Sequence, residues 1–248
     1  MSSTSTPLQS GGAHTSRTMM LSELRALLGQ TPLDATPQGY REAVIDENVL
    51  AKGSDSARQR SYRYLRELYG LDTGVPSFHV LRTLWLVDEL AQPLLALSSA
   101  LARDASLRAT TPAVLNAPEG SRVTAAELAT ALVDAHPGSY GEAVANKVGR
   151  NAASTWTQSG HLRGRVNKVR VRATPRPASV AYALFLASLE GYEGELLFTS
   201  LLVEAQDAPS HTLRELARDA SRLGWIDFRS VGGVTEVRFP LFAESAAT

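Results

Sequence analysis

The C-terminal quarter constrains this chain most. Residues 178–190 are rich in Ala, Leu and Phe, and Gly191 and Gly194 interrupt them. A second apolar stretch covers about 197–205, with Leu201, Leu202 and Val203. A third segment, 212–223, places Leu213, Leu216, Ala217, Ala220 and Leu223 on one helical stripe, and Gly224 follows as a stop. Its Thr212-Leu213-Arg214-Glu215 start matches a capping box, in which the N-cap hydroxyl and the Glu satisfy each other's orphan amides. Two alternating segments, 225–229 and 234–239, then flank Gly232-Gly233, a hairpin signal. Three helices followed by a two-stranded hairpin is the winged-helix order, expected over 176–242.

Upstream, the pattern predicts helix throughout. Leu21, Leu24, Leu27 and Leu28 share a face. Pro37 suits the first turn of a second helix, Ser54 or Ser56 a cap for a third, and Pro93 the first turn of a fifth. Leu81, Leu84, Trp85, Val87 and Leu90 mark the fourth. Residues 19–118 therefore read as a helical domain. Residues 1–18, dominated by Ser, Thr and Gly, read as a disordered tail; 243–248 read as another.

Between them, 119–175 reads as a helix–turn–helix unit with a basic strand. Thr124 caps one helix. Ser139-Tyr140-Gly141-Glu142 fits a capping box for the next, Gly149 closes that helix, and Asn151 caps a further one through Trp156. Residues 167–173 alternate, with Val169 and Val171 on one face and Lys168, Arg170 and Arg172 on the other. The fold class is thus mainly α: a helical N-terminal domain, then helix–turn–helix and winged-helix units with small β wings.

Catalysis finds little footing. There is no cysteine. None of the five histidines (His14, His79, His136, His161 and His211) stands at metal-ligand spacing. Phosphate-loop, dinucleotide-fold and nucleophile-elbow motifs are absent. Asp46-Glu47 reads as a surface feature. No catalytic residue, metal or cofactor is expected. No apolar run spans a bilayer and no apolar leader opens the chain, so a cytoplasmic location is expected.

Charge distribution is more informative. Lys plus Arg equals Asp plus Glu at 25 each. Yet from Gly141 to Arg176 the cations Lys147, Arg150, Arg163, Arg165, Lys168, Arg170, Arg172 and Arg176 face one acid, Glu142. Cations spread along a surface suit phosphates, and short polar side chains on an inserted helix suit base edges. Asn151, Ser154, Thr155 and Gln158 are the candidate readers, with the flanking cations as phosphate contacts. The alternative is a solubilising basic edge strand. A second basic run, Arg58, Arg60, Arg63 and Arg66, is interleaved with Tyr62, Tyr64 and Tyr69; a solvated face and a phosphate-binding face remain open for it. In the last helix, Arg214, Arg218 and Arg222 are matched by Glu215 and Asp219, which suits surface pairing or protein docking better than DNA.

The stretch Tyr40-Arg41-Glu42-Ala43-Val44-Ile45-Asp46-Glu47-Asn48-Val49-Leu50, with the Arg-rich Ser54–Leu68 ending Tyr64-Leu65-Arg66-Glu67-Leu68, resembles the BrxA family of BREX phage-defence systems. Trp156 through Leu162, the helix around Ala181-Tyr182-Ala183-Leu184-Phe185-Leu186, and the final Gly224 with its hairpin fit the same layout. The resemblance covers roughly 36–240. It implies a non-enzymatic accessory protein that binds double-stranded DNA beside other BREX components, with Arg58, Arg60 and Arg63 on the family's basic helix. A sequence-specific transcriptional regulator and a winged-helix scaffold for a larger complex are the alternatives.

Overall fold

The computed structural model describes residues 12–240, which are mainly helical with two small antiparallel sheets. A short 3-10 turn, Ala13–Thr15, is followed by α1 (Leu21–Gln30), α2 (Pro37–Ile45), α3 (Asp55–Tyr69), α4 (Pro76–Trp85) and α5 (Gln92–Arg103). Then come α6 (Ala105–Arg108), α7 (Thr111–Leu115), α8 (Ala125–Ala135) and α9 (Glu142–Gln158). Strands β1 (Leu162–Arg163) and β2 (Val169–Arg170) precede α10 (Pro177–Leu189), α11 (Leu201–Glu204) and α12 (Ser210–Arg222). The hairpin β3 (Asp227–Val231) and β4 (Val234–Arg238) ends the described chain. Among the described residues, no helix is long and apolar enough to cross a membrane.

Local chemistry explains most helix starts. Thr36 accepts from the Gly39 amide at 3.2 Å with Pro37 in the first turn, and Ser54 accepts from the Ala57 amide at 3.3 Å. Thr124 and Glu127 form a full reciprocal box at the head of α8. Two expected boxes do not form. α9 is capped by Gly141 and α12 by Pro209, neither through a side chain. The helix over 81–90 also stops early, at Trp85, leaving Val87 and Leu90 exposed.

Helix α10 organises the interior. From Ala178 to Ala187 every residue is buried. A helix with no polar face must be surrounded, and α10 packs against α4, α5, α11 and α12. One contiguous apolar cluster therefore runs from Ala13 to Phe228, drawing on all three segments that the sequence separates at 118 and 176. A small satellite under α8 and α9 holds Leu132 and Val148.

Helix α9 is continuous through Gly149 and Asn151, where a break was expected. Its glycine serves a different need: a Cβ on Gly149 would lie 2.1 Å from the Ala125 carbonyl oxygen of α8. Gly149 permits close helix approach and does not end the helix. Asn151 is accordingly a mid-helix residue, and its side chain is used elsewhere.

The tail expected over 1–18 is corrected for residues 12–18; residues 1–11 lie outside the described part. His14 is fully buried, and Gly12 passes so close to Asp104 that a Cβ there would meet the carboxylate at 2.1 Å. The tail expected at 243–248 also lies outside the described residues.

The hairpin forms as its Gly-Gly pair predicts. Val231 faces Val234 across a turn in which Gly232 and Gly233 both have positive φ, as a two-residue type I′ connection requires.

Candidate nucleic-acid interface

The basic segment after α9 is built inward at its centre. β2 pairs with β1 on one side, Leu162 opposite Arg170. On the other side the Arg170 amide donates to the Ser121 carbonyl at 2.8 Å, and the Gly120 amide donates to the Arg170 carbonyl at 2.9 Å. It is thus not an exposed edge, which removes the edge-protection reading of its charges. The expected strand over 167–173 shrinks to Val169–Arg170.

Arg170 is 1% exposed and grips Asp207 with both terminal nitrogens, at 2.8 and 2.5 Å. Asp207 also accepts from Arg172 at 2.8 Å and from the Ala173 amide at 2.9 Å. Burial pushes the Asp207 carboxyl up, but the Arg170 fork and the Ala173 amide outweigh it and hold the group below its ordinary value. Arg170 is therefore not a phosphate contact: its partner is internal, supplied by the loop after α11. Lys168 is partly withdrawn too, donating to Thr157 Oγ1 at 2.7 Å and to the Gly164 carbonyl at 3.3 Å. Arg172 is more than half exposed but reaches Asp207 and Glu119. Arg163, at the end of β1 opposite Val169, and Arg165, on the turn between the strands, stand exposed.

The proposed reading face of α9 is also occupied. Asn151 donates to the His14 carbonyl at 2.8 Å, and Gln158 accepts from the Leu21 amide at 3.2 Å. Thr155 is fully buried; it meets His14 Nε2 at 2.7 Å and accepts from the Met19 amide at 2.9 Å. Ser154 donates to the Arg150 carbonyl at 3.2 Å. Residues 14–21 thus lie across the helix expected to read bases, so Asn151, Thr155 and Gln158 are anchors for that strap and not base readers. Their short polar side chains carry the same sequence signal in either role.

The strap is locked by a buried relay. Asp104 Oδ2 accepts from His14 Nδ1 at 2.7 Å and from the His14 amide at 2.9 Å, while Oδ1 accepts from the amides of Ser106 and Leu107 at the head of α6. Burial pushes the Asp104 carboxyl up; His14 and these hydrogen bonds more than reverse that and hold it far below the carboxylate range. Acid, imidazole and hydroxyl in line resemble a hydrolase relay. Here all three are buried and Thr155 already receives the Met19 amide, so the arrangement holds the chain together and offers no nucleophile to a substrate. Among the described residues, no three potential ligands cluster as a metal site.

What remains outward is a set of cations on α3 and α9. Arg60, Arg63, Lys147 and Arg150 are exposed. Arg58 is partly withdrawn, donating to the Ile45 carbonyl at 2.6 Å with Asp55 nearby. Tyr64 lies between two guanidiniums, Arg63 at 4.6 Å and Arg17 at 5.7 Å from its ring centre. Its hydroxyl accepts from Arg63 at 2.7 Å. The strap joins the two helices: Arg17, Thr18, Glu23, Lys52, Ser61 and Asn151 line one shallow pocket between them, with Lys52 paired to Glu23 at 3.0 Å. Arg17 escaped the sequence reading because it sits in a stretch that looks disordered.

By contrast, the C-terminal unit pairs most of its own cations, with Arg218 left lying over the Phe228 ring. Arg214 pairs with Glu195 and Arg222 with Asp219.

No protein-family model matches this chain, and no curated protein matches it at a significant level.

Proposed function

We propose that this chain is a non-enzymatic protein that binds double-stranded DNA mainly through phosphates. Following its resemblance to BrxA, we place it as an accessory component of a BREX-type phage-defence system. The observation that carries the binding reading is the junction of α3 and α9 through the strap. It brings Arg17 beside Asn151, where Lys52 is already paired with Glu23, with exposed Arg60, Arg63, Lys147 and Arg150 on the flanking helices. Phosphate contact needs such a spread of cations and no base-specific geometry. The internal use of Asn151, Thr155 and Gln158 disfavours an operator-reading regulator.

The helix order and terminal hairpin suit a winged-helix unit. A second role for it, docking a protein partner, is favoured by the hairpin tip, where Val231 and Val234 are 80% and 72% exposed. In that reading the unit presents the basic face to a larger assembly.

Binding of a random-sequence duplex, followed by fluorescence anisotropy, tests the proposal. Affinity is expected to fall steeply with salt, because each neutralised phosphate releases counterions. Charge reversal at Arg60, Arg63, Lys147 and Arg150 together should lower affinity by roughly a hundredfold or more and flatten the salt slope. Failure of the parent chain to bind duplex in low salt would sink the DNA reading.

A further inference from the structure

Helix α3 has a second face, turned away from the strap. There, between α2, α3 and the end of α5, lies a solvent-open pocket of about 660 Å³. Gln38, Arg41, Tyr62, Arg66, Asp72 and Arg103 line it. Its size falls within the range of small-ligand sites.

Its charge is unbalanced. Three guanidiniums against the one carboxylate of Asp72 leave two positive charges. Arg41 has only a distant partner, Asp46 at 4.0 Å. Among the described residues, neither Arg66 nor Arg103 lies within ion-pair distance of a carboxylate, although Glu67 partly offsets the charge of Arg103 from further away. Arg103 is also positioned in advance. Its Nε donates to the Glu67 carbonyl at 2.9 Å, which fixes the guanidinium plane and leaves both terminal nitrogens for another acceptor. Burial disfavours the charged form of this guanidinium, a cost an incoming anion would offset.

We propose that this pocket binds a small phosphorylated anion of the pyrophosphate or nucleotide class. Planar guanidiniums present paired donors that match phosphate oxygens. Two uncompensated positive charges suit a phosphate bearing two or more negative charges; a monocarboxylate would leave the pocket cationic. Tyr62 lines the wall beside them, with its hydroxyl tethered to the Pro37 carbonyl at 3.4 Å. The site does not rest on the DNA-binding reading: of that reading's cations only Arg63 neighbours Arg66 on α3, and the others lie further round α3, on the strap and on α9.

Isothermal titration of the full chain in low salt, with pyrophosphate, ATP and acetate as probes, tests it. Pyrophosphate and ATP are expected to bind and acetate to bind far more weakly. Arg66→Glu and Arg41→Glu, both at exposed positions, should each weaken ATP binding by roughly tenfold or more. Arg103→Lys, which keeps the charge and loses the fork, should weaken it severalfold, and Asp72→Asn should tighten it. Lys147→Glu with Arg150→Glu should leave ATP binding unchanged while weakening duplex binding, which separates the two sites. No heat with either pyrophosphate or ATP overturns the proposal, as does ATP binding that Arg66→Glu leaves intact while circular dichroism shows a folded chain. If duplex DNA displaces ATP from the parent chain and Arg66→Glu weakens the duplex equally, the pocket holds a backbone phosphate and the small-ligand proposal falls.

Discussion

The two basic runs of this protein look alike on paper and do opposite things. Arg58–Arg66 presents Arg60, Arg63 and Arg66 outward from one side or another of α3. Lys168–Arg172 turns its central arginine into the interior, where Asp207 waits. The difference lies in the distant partner, 37 residues further along the chain, and in the neighbouring segments that close both edges of β2. A cation run reports how much positive charge a segment carries. Whether that charge is available depends on where the rest of the chain places its carboxylates.

The contrast is broken most sharply at Arg170. Arg170→Ala leaves the Asp207 charge buried with a single exposed arginine for company, and should cost about 3–5 kcal/mol in urea or guanidinium unfolding. Arg172→Ala, on the solvent side of the same carboxylate, should cost under about 1 kcal/mol. Equal losses would show that the inward run is not organised around Arg170.

A pH titration gives the next effect. Burial, reinforced by Arg170, holds His161 down at about 4, despite the opposing pull of Asp207 and the Ala205 carbonyl. Between its ordinary value of 6.5 and about 4, the unfolded chain takes up a proton that the folded chain refuses. Stability should therefore fall as pH drops through that window, by on the order of 3 kcal/mol. Asp104 and Asp207, both depressed in the fold, add further loss only below the ordinary carboxylate range. His161→Gln should remove the slope between 6.5 and 4 and leave the acid limb; an unchanged slope would rule out His161 as its source.

The smallest effect belongs to the outward run. Arg60→Ala and Arg63→Ala together should shift stability by less than about 1 kcal/mol, since one is solvated and the other loses only its contact with Tyr64. A large loss would mean that α3 depends on those arginines for its own packing.

Much of this architecture was legible in residue order. The Gly-Gly hairpin, the caps at Ser54 and Thr124, and the first-turn prolines are local signals, and local signals survive into the fold. The all-apolar run of α10 reads as the first helix of a separate C-terminal unit, yet a helix without a polar face belongs at a centre, and that is where it packs. What stayed hidden was long-range. Gly149 reads as a helix stop because nothing nearby says that Ala125 will press against it. The polar residues of α9 suit base edges and suit the backbone of residues 14–21 equally well. The strap itself was hidden by composition: a few anchoring groups, His14 above all, sit among Ser, Thr and Gly that look too polar to order.

That strap bears on how the chain is made. Its two buried partners lie 90 and 141 residues downstream of His14. During synthesis His14 leaves the ribosome well before Thr155, which lies 141 residues further along. Residues 14–21 must wait undocked while α1 to α8 appear, and they can close over α9 only once it has been made. A chain stalled before α9 would carry its N-terminal residues without the surface that holds them.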